Sequence, residues 1–393
     1  MSLSRIFDIS SFIHEQGYCW IADLPVEVPL GELEGSSKKS TLRLFENGVE
    51  MGPSSALHSQ IREIGLGAYS HWGKDLYFSS SNNTNPSKKK YQITIEDPCL
   101  FLEVDSAIAS ENNIDTPINY LQSSYDPSRI DSDAKYAIRI ADTYVTALPE
   151  GRKSLYGKSV LELGPGNSFA TVLILKALGA KSIGVADRFL AKFDSLYHPV
   201  LYKKIAELLK VKYADADLEI FYQVSDVGHA TNIVDSYEVP LEKLREVIKN
   251  VDLTLSNAVL EHLYDPFAGA ISLYDIMAPY GIGLHQVDFR DHRDFSRPLE
   301  YLMLGDQEFK NLFYKCNGEC GGKTRPFQMS RMFSLAGFEK VDFYPNMFVD
   351  PTYLDDFFNR LKRLPWNLYG YFDKTLLMPI SGQFRLRKRF LDK

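Results

Sequence analysis

The chain has 393 residues, 45% of them hydrophobic and 24% charged, which excludes wholesale disorder and leaves room for two domains of about 150 residues or more. A net charge of −7 argues against a general duplex-DNA binder, which needs basic faces to displace counterions. Four cysteines are too few for a disulfide scaffold, so a reducing compartment is expected. The opening MSLSRIFDISSFIHEQ lacks the apolar core and cleavage site of a secretory signal. Leu163 to Leu175, the longest run free of Asp, Glu, Lys and Arg, has 13 residues. A membrane span needs about 20. These features predict a soluble cytoplasmic protein with no stable membrane insertion and no nucleic-acid partner.

Up to about Ile114 the apolar residues fall in short runs broken by Gly, Pro and Asn, which predicts strands and hairpins. Asn47-Gly48 is the strongest hairpin signal, because both residues tolerate positive φ. Ser79 to Lys90 predicts an exposed polar loop, whose Lys88 to Lys90 offer an anion site only as the less favoured reading. Asp133 to Leu148 predicts a helix leading into a second domain. From Ser159 onward strand patterns alternate with helical ones, as in an α/β fold with a parallel sheet and helices on both faces. The domains expected are a β-rich 1–115, a linker and leading helix over 116–154, and an α/β domain over 155–393 with an insertion at about 288–327. In the tail, Phe384 to Phe390 alternates apolar and basic residues and predicts a last strand.

Val160 to Ser168 (VLELGPGNS) runs from a strand through a glycine turn toward a helix. The glycines allow close backbone approach and the helix start offers free N–H groups, as at a nucleotide-type site. A dinucleotide fingerprint would need a third glycine at Phe169. The second strand, Ser182 to Ala186, ends at Asp187, where a carboxylate can accept both hydroxyls of a ribose. A third strand is expected to end at Ser225-Asp226-Val227. The fourth, Val251 to Ser256, leads into Asn257-Ala258-Val259-Leu260-Glu261-His262-Leu263-Tyr264-Asp265-Pro266.

Glu162-Leu163-Gly164-Pro165-Gly166, Asp187, Asp226 and Asn257 to Pro266, in that order, resemble the successive motifs of class I S-adenosylmethionine-dependent methyltransferases. The resemblance spans about residues 155–345. It implies a Rossmann-like methyltransferase sheet, with S-adenosylmethionine as cofactor. Glu162, Gly164, Pro165 and Gly166 would face its amino-acid end and Asn257 its methionine side. Asp187 with Arg188 would hold the ribose, and Asp226 with Val227 the adenine. Ser168 departs from the pattern, standing where many members carry a third glycine.

Methyl transfer to a hydroxyl needs alignment and removal of a proton. The fifth strand, Tyr280 to Val287, runs into Asp288-Phe289-Arg290-Asp291-His292, so the candidate catalytic residues are His292 and His262 as base, with Asp288 or Asp291 orienting it. His285, inside the strand, is expected to be an interior histidine. A metal held by Asp288, Asp291 and His292 is disfavoured because the spacing matches no known site, and Cys316 and Cys320 without a second pair do not predict zinc. Arg290, Arg293, Arg297 and Arg325 suggest an anionic or polyhydroxylated acceptor. Ser70 to Asn83 resembles a β-rich module accompanying transferases of bacterial surface-glycan assembly, and His285 to His292 resembles a methyltransferase group of that setting. Trp72, Tyr77, Asn82 and Asn83 are therefore candidate sugar contacts. The expected function is O-methylation of a sugar or other small polar acceptor. The rivals are an inactive carbohydrate-binding scaffold, a methyltransferase acting on protein, and a nicotinamide-dependent oxidoreductase; the last lacks the third fingerprint glycine.

Overall fold

The computed structural model describes residues 4–26, 28–32, 40–96, 125–229, 233–364 and 366–389. Parts of three expectations lie outside these residues: the run from Asp97 to Val104, the front of the 116–154 linker, and Phe390. The chain divides into two units. One takes Met1–Glu103, Ser296–Phe309 and Val349–Pro379, and the other takes Val104–Phe295, Lys310–Phe348 and Ile380–Lys393. Against the expected 1–115, 116–154 and 155–393, the late segments Ser296–Phe309 and Val349–Pro379 group with the first unit. The physical reason lies in their packing. Helix Pro351–Leu361 buries Leu354, Phe357, Phe358 and Leu361, while its Arg360 donates to Glu300 at 2.7 Å. The Leu30 amide donates to the Tyr371 carbonyl, fastening the late segment to the early one.

Among the described residues the first unit holds eight short strands: β1 (Ser4–Ile9), β2 (Ile13–Gln16), β3 (Cys19–Asp23), β4 (Arg43–Glu46), β5 (Val49–Glu50), β6 (Tyr69–Trp72), β7 (Asp75–Phe78) and β8 (Tyr91–Glu96). They form two four-stranded sheets, ordered β1-β8-β4-β5 and β2-β3-β7-β6. A short helix, α1 (His58–Glu63), precedes β6. In β8 the period-2 pattern buries Tyr91, Ile93 and Ile95 and turns Gln92, Thr94 and Glu96 outward. The β4–β5 hairpin turns on Asn47 (φ 51°) and Gly48 (φ 82°), as their pairing predicts.

The loop after β7 is exposed over most of its length, as expected, and is anchored by its first residues and one lysine. Ser79 and Ser80 are fully buried, and Lys89 donates to Glu46 at 3.0 Å, so its charge is already matched. Asn83 accepts from the Leu66 amide and donates to the Ile64 carbonyl, and Asn82 accepts from Thr84 and Lys89. Asn82 thus bonds within its loop, and Asn83 ties the loop to the 64–66 turn. Trp72 stays 39% exposed beside His58, on which Tyr77 stacks at 4.1 Å.

The second unit is built on a seven-stranded sheet: β9 (Ser159–Leu163), β10 (Ser182–Asp187), β11 (Val234–Glu238), β12 (Val251–Asn257), β13 (Met277–Asp288), β14 (Lys340–Phe348) and β15 (Pro379–Arg387). Its order is β11-β10-β9-β12-β13-β15-β14. Strands β9 to β13 run parallel, and β15 pairs antiparallel with β13, the last strand that the tail pattern predicts. Parallel strands covered on both faces read as continuous apolar runs, and Val160, Leu161 and Leu163 of β9 are all buried. The helices that bear on the site are α2 (Ile130–Ala147), α3 (Ala170–Ala177), α4 (His198–Lys212), α5 (Glu219–Val227) and α6 (Pro266–Ile276). Asp265 caps α6 by accepting from the Phe267 and Ala268 amides, with Pro266 at the first helical position. Among the described residues no helix is long and apolar enough to cross a membrane.

Candidate functional site

Strand order reverses direction between β9 and β12: the chain builds outward through β10 and β11, then returns to the other side of β9. Open α/β sheets bind ligands outside the carboxyl ends of strands at such a switch point. The registers bring Leu163 beside Ser256, Ser256 beside His285, and Asp187 beside Glu238, so the strand ends form one edge.

At the centre of that edge the Gly164 amide donates to the Ala186 carbonyl and its φ is 64°. A Cβ on Gly164 would lie 2.3 Å from Val259 Cγ2, so glycine is what lets the turn close on the segment after β12. Gly166 (φ 69°) faces open space. Glu162, 4% exposed, is the penultimate residue of β9. Burial pushes its pKa up to about 8 against a hydrogen bond from Thr171, and its Oε2 has no partner. Asp187 is pushed up to about 6 by burial, held back by the Phe189 and Arg188 amides. The Arg188 guanidinium stacks over the Tyr264 ring at 4.3 Å.

Asp226 and Val227 do not join this edge. The stretch Glu219–Val227 is helix α5, with both residues exposed, and the third strand is Val234–Glu238. That expectation is therefore corrected. Ile220, Phe221 and Val224 are the buried face of the helix, and their spacing is helical rather than alternating. The carboxylate that stands at the third strand end, beside Asp187, is Glu238, which sequence reasoning missed. Asn257 ends β12 and donates to the Tyr136 hydroxyl of α2 at 3.0 Å, bringing in a second residue not foreseen. Ala258 follows with φ 56°, a left-handed conformation that costs a non-glycine residue about 1 kcal/mol or more.

The two candidate bases lie together, with the His262 and His292 rings 5.1 Å apart. His262 Nδ1 meets the Gly318 carbonyl at 2.9 Å and His292 Nδ1 meets the Glu319 carbonyl at 3.1 Å. A carbonyl only accepts, so each Nδ1 carries the proton and each Nε2 keeps a lone pair. His292 Nε2 is buried without a hydrogen-bond partner, 3.8 Å from Asp288 Oδ2. Burial first, and then the neighbouring His262, lowers the His292 pKa from the ordinary histidine value. Glu261, 3% exposed, accepts from the Asp288 amide, and its carbonyl accepts from Gly322, tying the ends of β12 and β13 to the 318–322 loop. Burial pushes the Glu261 carboxyl up to about 7.

Of the two aspartates expected to orient the base, Asp288 lies 3.8 Å from His292 Nε2, and both are held by arginines. Asp288 is occupied bidentately by Arg290, and Asp291, 1% exposed, by Arg293. Main-chain carbonyls hold the histidines. Arg297 likewise pairs with Glu300 and Arg325 donates to the Phe289 carbonyl, so these four arginines are engaged within the protein rather than presented to an anion. His285 is the interior histidine expected, between Ser256 at 2.8 Å and Thr254 at 3.3 Å, with burial lowering its pKa to about 3. Cys316 and Cys320 are free thiols, and burial pushes Cys320 up to about 12. Among the described residues no group of three or more His, Cys, Asp or Glu side chains is arranged to hold a metal.

No family model matches this chain, and no curated protein matches it. Solved structures do. An S-adenosylmethionine-dependent methyltransferase from Mesorhizobium loti is 14% identical with a TM-score of 0.36, over 66% of this chain and 100% of that one. A second, from Thermotoga maritima, is 13% identical with a TM-score of 0.35, over 69% and 98%. The cyclase SpnF is 13% identical with a TM-score of 0.32, over 66% and 81%. Likeness at this level leaves the chemistry to be argued from the site's own residues.

Proposed function

We propose that the protein is an S-adenosylmethionine-dependent methyltransferase that methylates a hydroxyl of a sugar or other small polar acceptor, in surface-glycan assembly. One observation carries the reading: a single sheet edge gathers a glycine turn, an orphaned buried carboxyl, a ribose-type carboxylate and two histidines with free Nε2 atoms. The residues fit the cofactor. Glu162 Oε2 lacks a partner and the open space over Gly166 admits a ligand against the backbone. Glu162, Gly164, Pro165 and Gly166 would hold the amino-acid end, Asp187 the ribose, and Asn257 the methionine side.

Bound S-adenosylmethionine supplies a methyl group on a sulfonium, an already good leaving group. The protein's part is to align a hydroxyl and take its proton. Nε2 of His292 or His262 is the acceptor for that proton, since Nδ1 of each ring is already committed to a carbonyl. As the ring gains its charge, Asp288, 3.8 Å from His292 Nε2, stabilises it. Glu261 keeps the two strand ends and the carbonyl loop in register.

The test is calorimetric binding of S-adenosylmethionine, S-adenosylhomocysteine and NAD to the purified protein, with Asp187→Ala as control. Binding of the two adenosyl ligands, absent for NAD and lost in the variant, is the expected result. Failure of both adenosyl ligands to bind would sink the reading.

A further inference from the structure

Behind the glycine turn lies a buried cluster that the chemistry above does not use. His198 and Tyr202 of α4 are fully buried, and His229, just after α5, is 7% exposed. The Phe169 amide donates to the Tyr202 hydroxyl at 3.2 Å, and that hydroxyl lies 2.5 Å from His229 Nε2. His229 Nδ1 lies 3.2 Å from the Ala191 carbonyl, which only accepts, so Nδ1 carries the proton and Nε2 receives the Tyr202 proton. A second arm is oriented the same way. The Asp194 amide donates to His198 Nδ1 at 2.8 Å, so His198 Nε2 carries the proton and donates to the Asn167 carbonyl, also at 2.8 Å. The Phe169 ring stacks on His229 at 4.0 Å and Phe193 on His198 at 5.4 Å.

Both arms start on the turn, at Asn167 and Phe169, and end on the segment after Asp187, at Ala191 and Asp194. They hold the turn's backbone at Asn167 and Phe169. The Gly166 and Asn167 amides have no protein partner among the described residues. Successive free amides in a turn with positive φ form a concavity for an anion.

We infer that His198, Tyr202 and His229 are positioning residues: they clamp the glycine turn so that its free amides receive the carboxylate of the cofactor's amino-acid end. They also fix that turn relative to the ribose carboxylate Asp187. The inference rests on the cofactor reading above. A clamp of this kind discriminates between ligands, because only those with an amino-acid end use the turn.

The test compares S-adenosylhomocysteine with 5′-methylthioadenosine, which keeps the adenosine and lacks the amino-acid end. Tyr202→Phe, which removes only a hydroxyl, weakens the first by about 5- to 10-fold, the cost of one buried hydrogen bond, and leaves the second within about twofold. His198→Leu, which removes the other arm, reproduces the selective loss. Equal weakening of both ligands, or a lower melting temperature with unchanged affinities, overturns the clamp and leaves a structural cluster. If the unaltered protein binds neither ligand, the cofactor reading itself fails and the clamp falls with it.

Discussion

Glu162→Gln separates a functional acid from an ordinary buried residue. The folded protein holds the Glu162 proton far more tightly than an unfolded chain does, with a pKa raised from 4.5 to about 8 by burial. The stability linked to that proton is complete below about pH 4.5 and is lost as pH rises through about 8. Relative to the protonated state, the cost of this group is about 1 kcal/mol at pH 5 and about 3 kcal/mol at pH 7. Glutamine keeps the shape, accepts the Thr171 hydrogen bond and does not titrate. Melting temperature is therefore expected to fall for the wild type relative to Glu162→Gln by about 4–8 °C more at pH 7 than at pH 5. Asp187 and Glu261 also have raised pKa values, but they titrate in both proteins and cancel in the difference. Differential scanning calorimetry at half-unit pH steps measures it. Two melting curves that stay parallel from pH 5 to 8 would refute the protonated buried acid. The same substitution leaves the turn a neutral amide, so adenosyl ligands should bind it more weakly even where its fold is more stable.

His262→Ala and His292→Ala should each lower kcat on a competent acceptor by about 10²–10⁴-fold while S-adenosylhomocysteine affinity holds; full turnover in both would remove the histidines from the chemistry. Because the His292 pKa is lowered, the wild-type rate should rise with pH and reach its plateau below the range of an ordinary histidine, which a pH–rate profile reads. Gly164→Ala and Gly166→Ala both force a side chain to positive φ, but only the first also meets Val259, so Gly164→Ala should lower the melting temperature more. In the first unit Glu46 loses to burial but gains more from Ser81, Tyr91 and Lys89, which leaves its pKa lowered. Glu46→Gln should destabilise that unit by about 3 kcal/mol near neutral pH, and by less as pH falls through the carboxylate range, measured by thermal unfolding.

Much of this architecture is legible because the relevant signals are local. Asn47-Gly48 specifies a tight hairpin by itself, and β9 and β12 announce themselves as strands buried on both faces. The third strand is not legible, for a reason of position. As the sheet edge, β11 buries only Val234 and reads Val-Asp-Ser-Tyr-Glu, with no apolar run to mark it. The preceding Leu-Glu-Ile-Phe-Tyr-Gln-Val-Ser-Asp is rich in β-branched and aromatic residues and imitates a strand, yet it is a helix packed through one face. The strand-like run ending at Asp226 thus lies one element too early, and the carboxylate at the third strand end is Glu238.

The histidines show a deeper limit. Two His and two Asp within a few residues of a strand end suggest an acid–base pair, and the nearest carboxylates look like its partners. In the folded protein those carboxylates are claimed by arginines two residues away, an arrangement in which each Asp–x–Arg closes on itself. The imidazoles of His262 and His292 turn to the Gly318 and Glu319 carbonyls, brought in by a turn 56 and 27 residues distant in sequence. Every residue has a carbonyl, so no residue type advertises this role. What the sequence does offer is the turn itself: Asn317 (φ 52°), Gly318 (φ 82°) and Gly321 (φ 76°) are the positions that let a chain present successive carbonyls inward. Glycine clusters in long insertions are thus worth reading as possible backbone ligands for a nearby histidine, ahead of the acidic residues that lie closer in sequence.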